Sequence, residues 1–350
     1  MLSIRILAGV ERALDKLPPR AQVRLSRRPP IEVDGQTLDP GAQLVLALRQ
    51  RTVPPTGMPP VDVQRAAART EAIAGRGRLA PVGARRDLRV AGAGQELKAR
   101  HYAPATGAEG APLLVYFHGG GGVTGDLDSH EGPCRTLCHH AGVHVLAVDY
   151  RLAPESPFPA GSADALAAFA WAVEHAAALG AGPERTIVGG DSAGGTLAAV
   201  VAQAGARGEL PAPALQLLIY PWLDLTTRRR SYDLFGDGFF LTSEMLDWYR
   251  DHLLGGDGDP SDPRCSPAVA GDLTGLAPAI VVTAGFDPLR DEGEDYARAM
   301  RAAGVPVVLR RFESLYHGFL NAAGVNRAAR AAIVEVAGML RAGLALADRE

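Results

Sequence analysis

From residue 113 onward, compact apolar runs alternate with longer stretches whose apolar residues recur at helical spacing. The runs Leu113 to Phe117, Val143 to Val148, Thr186 to Val188, Leu215 to Tyr220, Ala279 to Thr283 and Val305 to Leu309 predict strands. They are largely apolar throughout rather than alternating, which is the pattern of strands covered on both faces. Between and after them, about Gly132 to His140, Ser162 to Ala178, Ser192 to Gly205, Glu292 to Ala303 and Asn326 to Leu346 predict helices. This alternation predicts an α/β fold, a mostly parallel, doubly wound sheet with helices on both faces. Upstream, Asp87 to Val90 and Glu96 to Tyr102 read as a hairpin joined by Ala91-Gly92-Ala93-Gly94.

Two regions depart from the alternation. Residues 1 to about 80 read as helical pieces stopped by the proline pairs at 18–19, 29–30, 54–55 and 59–60, with no strand pattern. Leu44, Leu46 and Leu48 mark one apolar piece, and Val61 to Ile73 a second helical candidate. Residues 4 to 17 read as an amphipathic helix on the protein's own surface, with membrane-surface contact the minority reading because the basic face is weak. Residues 222 to about 270 form an aromatic-rich insertion between two strands. It carries Phe235, Phe239, Phe240, Trp248 and Tyr249, although aromatics make up only 6% of the chain.

Composition narrows the class. With 350 residues, 47% hydrophobic and 21% charged, a sizeable core can form and compositional disorder is excluded. Forty-one glycines and 26 prolines imply many turns. A net charge of −3 argues against a nucleic-acid partner. Lys16 and Lys98 are the only lysines among 36 basic residues. Three cysteines do not make a disulfide framework, so a reducing, cytoplasmic location is expected. The apolar start of the chain is too short for a signal peptide, and no run reaches membrane-spanning length, so no stable membrane insertion is expected.

Two glycine-rich motifs carry the chemistry. Gly190-Asp191-Ser192-Ala193-Gly194-Gly195 lies between a predicted strand and a predicted helix, the context of a nucleophile elbow. The helix N-terminus favours negative charge beside the serine. The same letters echo chymotrypsin-like proteases, but those are all-β, with His and Asp preceding Ser. His118-Gly119-Gly120-Gly121-Gly122 directly follows the strand ending at Phe117. Consecutive glycines let backbone N–H groups approach a developing oxyanion, and Ala193, after the nucleophile, supplies the complementary donor. His118 is expected to brace that loop rather than act as a base.

The remaining partners follow from chain order, which in this architecture runs Ser, acid, His. Only His252 and His317 follow Ser192. His317 trails a strand and precedes Gly318, whereas His252 lies inside the insertion. Asp287 stands just past the strand Ala279 to Thr283, where catalytic groups of open α/β sheets gather. Asp291, Glu292, Glu294 and Asp295 are expected to be solvated on a helix, and Asp191 to brace its loop.

Together these segments resemble the bacterial hormone-sensitive lipase family of α/β-hydrolases, in its Gly-Asp-Ser-Ala-Gly subgroup. The resemblance covers Asp87 to the C-terminus and includes Gly125-Asp126-Leu127, Asp149 to Glu155, Asp287 to Gly293 and His317-Gly318-Phe319. It implies Ser192 as nucleophile, Asp287 as acid, His317 as base and Gly120, Gly121 and Ala193 as oxyanion donors, with no cofactor and no metal. It also implies a helical cap formed by residues 1–80 and 222–270 over a core of 81–221 and 271–350. The family usually has a bulky residue after the third glycine. Gly122 here predicts a wider or more mobile loop.

Other candidates are weaker. Gly122, Trp222, Phe235, Phe239, Phe240, Leu315 and Phe319 line a substrate pocket on one reading and serve ordinary cap-to-core packing on the other. Cys134, Cys138, His139 and His140 do not share one helix face, so packing is expected rather than a metal. Arg27-Arg28 and Arg228-Arg229-Arg230 are expected to be solvated, while Asp149, Arg151 and Glu155 are assigned scaffold roles. The expected function is hydrolysis of short- to medium-chain carboxylic esters through an acyl-enzyme on Ser192. Alternatives are a non-catalytic small-molecule receptor on the same fold, or an amidase or acyltransferase using the same triad. A small-molecule ester is the expected partner, with a homodimer through the C-terminal strand and helix as a further possibility.

Overall fold

The structure is a computed structural model that describes residues 4–52 and 57–347. The proline pair at 54–55 lies outside the described residues. The strands are β1 (Glu32–Val33), β2 (Gln36–Thr37), β3 (Ala84–Ala91), β4 (Glu96–Ala103), β5 (Ala111–Phe117), β6 (His144–Asp149), β7 (Ala181–Asp191), β8 (Gln216–Ile219), β9 (Ala279–Phe286) and β10 (Val307–Tyr316). The helices are α1 (Ile4–Leu14), α2 (Pro19–Ser26), α3 (Pro40–Thr52), α4 (Val61–Gly75), α5 (Glu131–Ala141), α6 (Ala160–His175), α7 (Ala193–Ala206), α8 (Arg230–Phe235), α9 (Ser243–Leu254), α10 (Arg290–Ala302) and α11 (Arg327–Ala347).

Eight strands form one sheet in the order β10-β9-β8-β7-β5-β6-β4-β3. Pairings from β10 through β6 are parallel, and β4 joins β6 and β3 antiparallel. Strand β5 shows why its run is apolar throughout. Leu113, Val115 and Phe117 pack into one layer with α6, α7 and α10, while Leu114 and Tyr116 pack into the other with α5 and α11. Side chains alternate between faces, and both faces are covered by helices.

Several sequence expectations are corrected. Residues 1–80 do contain strands, the two-residue ladders β1 and β2. They flank Asp34-Gly35, both at positive φ, which is the two-residue turn that an Asp-Gly pair favours. Strands β7 and β10 run further than their apolar cores because polar residues continue the ladders, as Arg310 and Arg311 do on the edge strand β10. Glu292 and Glu294 are buried rather than solvated. Glu294 accepts Arg311, and Glu292 accepts the Leu223 N–H at 2.6 Å. The run Arg228 to Arg230 is ion-paired. Arg228 meets Asp247, Arg229 meets Asp224 and Asp295, and Arg230 meets Asp34.

Residues 222–270 leave the sheet after β8 and fold back over its carboxyl end. Trp222, Tyr232, Leu246 and Tyr249 cluster with Val61 of α4, while Phe235 of α8 clusters with Leu38, Ala42 and Leu46. The N-terminal segment also reaches the start of α11, where Asp15 accepts the Arg327 N–H.

Candidate active site

Three strand ends bring together residues far apart in sequence. Ser192 follows β7, Asp287 follows β9 and His317 follows β10. Ser192 Oγ lies 2.9 Å from His317 Nε2, and His317 Nδ1 lies 2.8 Å from Asp287 Oδ2. Asp287 is fully buried, and its other oxygen accepts the Leu289 N–H at 2.8 Å, which fixes the carboxylate plane. His252 is elsewhere. Its ring lies against Trp248, and Nδ1 is 2.8 Å from the Trp248 carbonyl on the same helix.

The elbow needs its glycines. Ser192 sits at φ 55°, ψ −123°, a strained conformation for a residue with a β-carbon. A β-carbon at Gly190 or Gly194 would collide with the Phe117 carbonyl, and one at Gly195 would come within 2.8 Å of Pro221. Only glycine lets β5, β7 and α7 approach so closely that Ser192 stands at the turn apex.

The second glycine loop is held from both ends. Asp191 accepts the Gly119 N–H at 3.1 Å and the Tyr116 hydroxyl at 2.6 Å. Burial opposes the Asp191 charge, but His130 at 3.5 Å and the Tyr116 hydroxyl outweigh it and hold the carboxyl below its usual range. Gly120, Gly121 and Gly122 all have positive φ. Among the described residues no protein acceptor takes the N–H of Gly120 or Gly121. Ala193, first in α7, has no intrahelical acceptor for its N–H. Among the described residues, three N–H groups on the two segments that flank Ser192 are therefore without a backbone acceptor, the last of them at the positive end of α7.

His118 braces rather than reacts. Its Nδ1 lies 2.8 Å from the Gly119 carbonyl, its ring stacks on Tyr150, and the Tyr150 hydroxyl donates to its carbonyl at 2.7 Å. Burial pushes its pKa down to about 4, so it is neutral at ordinary pH.

Gly122 does not leave the loop loose. A β-carbon there would lie 2.8 Å from Leu253 Cδ1, and one at Gly121 would overlap the Tyr249 ring. Leu253 and Tyr249, one turn apart on α9, fill the space that a bulky residue at 122 would occupy. The Gly122 carbonyl accepts the Ala153 N–H at 2.9 Å.

Beside Ala193 a cleft of about 480 Å³, counting its mouth, is lined by Gly122, Phe158, Thr196, Trp222, Leu225, Leu253 and Cys265, among others. Of the pocket candidates, Gly122 and Trp222 line it. Phe235 and Phe239 instead pack on Phe286, 5.4 and 5.3 Å between rings, in the core beneath the insertion. Leu315 and Phe319 are buried on the far face with Tyr220 and Phe312, and Phe240 stacks on Tyr316. Helical and loop turns, invisible to spacing alone, direct these aromatics inward. Cys134 and Cys138 face the sheet while His139 and His140 are exposed, so the four do not converge.

Sequence reasoning missed Arg65 of α4. Its Nε donates to the Val123 carbonyl and Nη2 to the Ala153 carbonyl, both at 2.7 Å, while it pairs with Glu155. The residue clasps the glycine loop from the N-terminal segment. Glu155 was legible as scaffold; its partner, ninety positions away, was not.

Residues 114–321 match the family described as alpha/beta hydrolase fold. The chain is 47% identical over 345 residues to the carboxylic ester hydrolase LipN of Mycobacterium tuberculosis, covering 95% of this chain and 90% of that protein. It is 42% identical to an ethyl acetate hydrolase of Pseudomonas putida, over 69% of this chain and 77% of the other. Among solved structures, the ester hydrolase EH1AB1 from the metagenome of Lake Arreo, complexed with a bipyridine phosphonate derivative, has a TM-score of 0.84. It is 38% identical, covering 87% of this chain and 98% of that one.

Proposed function

The chain belongs to the hormone-sensitive-lipase-like branch of the α/β-hydrolase family and is a carboxylic-ester hydrolase, and on that premise we propose that it works through an acyl-enzyme on Ser192 and takes esters of short to medium acyl chain. The observation that carries this reading is the hydrogen-bonded chain Ser192–His317–Asp287. His317 Nε2 takes the Ser192 proton as Oγ attacks the ester carbonyl. The oxyanion is received by the N–H groups of Gly120, Gly121 and Ala193, each worth about 10²–10³ in rate in comparable sites. Asp287 orients the imidazole and stabilises its cation. His317 then protonates the departing alcohol and activates the water that frees the acid.

The cleft beside Ala193 receives the acyl chain in this reading. A fluorophosphonate probe should label Ser192 and abolish hydrolysis of p-nitrophenyl butyrate, and Ser192→Ala should lose both. Labelling without turnover would favour a receptor, and equal turnover of the matching anilide an amidase.

Residues 1–80 and 222–270 are read as one discontinuous cap, because α4 and α9 share an apolar cluster over the glycine loop. A second copy is proposed to add along β10, a sheet edge with exposed Val308. No described helix is long and apolar enough to cross a membrane. Three free, buried cysteines support a reducing, cytoplasmic location.

A further inference from the structure

The N-terminal helices are turned inside out. Glu11 on α1 and Asp15 just past its end are buried, while Ile6 and Val10 are 53% and 43% exposed. Ile6, Val10 and Ala13 share one helical face, with Arg12 and Lys16 along its flank. On α2, Gln22 and Ser26 are buried while Leu25 is 45% exposed.

The inversion has a structural cause. Asp15 caps α11 through the Arg327 N–H, Gln22 donates to the Leu14 and Asp15 carbonyls, and Ser26 accepts Gln43 at 2.8 Å. Asp15 and Gln22 face inward because they complete the start of α11 and the end of α1, and Ser26 because it meets Gln43, and this leaves the apolar stripe outside.

Charge decides what covers the stripe. Through residue 28 the only acids are the buried Glu11 and Asp15. Arg12, Lys16, Arg20, Arg24, Arg27 and Arg28 are all exposed. None has an ion pair among the described residues. The whole chain nevertheless carries −3, so positive charge is concentrated on the surface that exposes apolar side chains. A symmetric contact between two copies would set these cations against each other. An apolar stripe flanked by cations is instead the form of a helix that lies in a lipid interface.

We propose that α1 and α2 dock the protein on an anionic phospholipid surface, with Ile6, Val10 and Leu25 in the acyl boundary and the surrounding cations on the headgroups. The docking is peripheral and needs no spanning helix. It does not depend on the ester-hydrolase reading, because its readout is binding.

The test is co-sedimentation of the full chain with phosphatidylcholine vesicles, with and without phosphatidylglycerol. Binding is expected only with phosphatidylglycerol, and it should fall steeply when salt is raised to about 0.5 M. Arg20→Ser/Arg24→Ser should weaken partitioning by roughly thirtyfold, and Ile6→Asp/Val10→Asp by at least about tenfold. Both variants should hydrolyse soluble p-nitrophenyl butyrate like the parent, which separates lost docking from lost folding. No binding to anionic vesicles at low salt overturns the proposal, as does binding that neither variant diminishes. A change in oligomeric state in Ile6→Asp/Val10→Asp without vesicle binding would instead assign the stripe to a second copy.

Discussion

Arg65 Nε donates to the Val123 carbonyl across 2.7 Å, tying a helix of the N-terminal segment to the glycine loop beside Ser192. The loop backbone has positive φ at three successive glycines and little stiffness of its own. Its shape depends on such outside contacts.

Arg65 is therefore a positioning residue. Arg65→Ala should lower kcat about tenfold, ~1.4 kcal/mol, with KM nearly unchanged. Arg65→Lys should recover only part, because an ammonium cannot reach both carbonyls and Glu155 in one plane. Steady-state kinetics on p-nitrophenyl butyrate test this. An equal rise in KM would assign Arg65 to substrate binding.

Leu253 and Gly122 share one volume. Gly122→Phe alone should destabilise the protein by about 1–3 kcal/mol through overpacking and depress turnover. Adding Leu253→Ala should restore part of both. Leu253→Ala alone should move preference from butyrate toward octanoate, since Leu253 lines the cleft. An acetate-to-palmitate ester series measures the change, and an unaltered profile in all three variants would remove Leu253 from the acyl site.

Acid stability should fall earlier than carboxylate titration alone requires. Burial depresses the pKa values of His101 and His118 from 6.5 to about 4. Between those values the unfolded chain binds protons that the folded one refuses. Stability is therefore lost as pH falls through about 6.5, with the full loss reached below about 4. Each contributes on the order of 3 kcal/mol. Urea midpoints between about pH 7 and pH 4 should drop accordingly, and His101→Gln should flatten the curve.

Glu292 has the opposite sign. Burial raises its pKa well above 4.5, with the Leu223 N–H acting against that rise. The folded state keeps a proton that the unfolded chain releases, so this group's contribution declines as pH rises above 4.5. Glu292→Gln should gain in Tm relative to the parent from about pH 5 to about pH 8. A constant difference in Tm would show that Glu292 is charged when folded.

The sheet was legible because each central strand is covered on both sides, leaving runs such as Leu113 to Phe117 with no polar position. The elbow was legible because its backbone admits only glycine at 190 and 194. Residues acting through distant partners were not legible. Nothing local marks Arg65 as the clasp of Val123, or Glu292 as the acceptor for Leu223. Phe235 and Phe319 fit a pocket by composition alone, and only the packing of α8 and the turn after His317 sends them into the core. The orientation of α1 was likewise hidden, since Asp15, just past its end, finds its partner at the start of α11.

Asp191 immediately precedes Ser192 and also grips Gly119. The nucleophile and the proposed oxyanion donors therefore ride on one carboxylate and one peptide bond. Breathing of β5 against β7 becomes a common-mode motion, in which attacking atom and anion cradle shift together and their separation is conserved. Precision at the reacting centre is held by two tethers, Asp191 from the sheet and Arg65 from the N-terminal segment, so only cap motions that keep the Arg65 clasp preserve the distance that matters to bond formation.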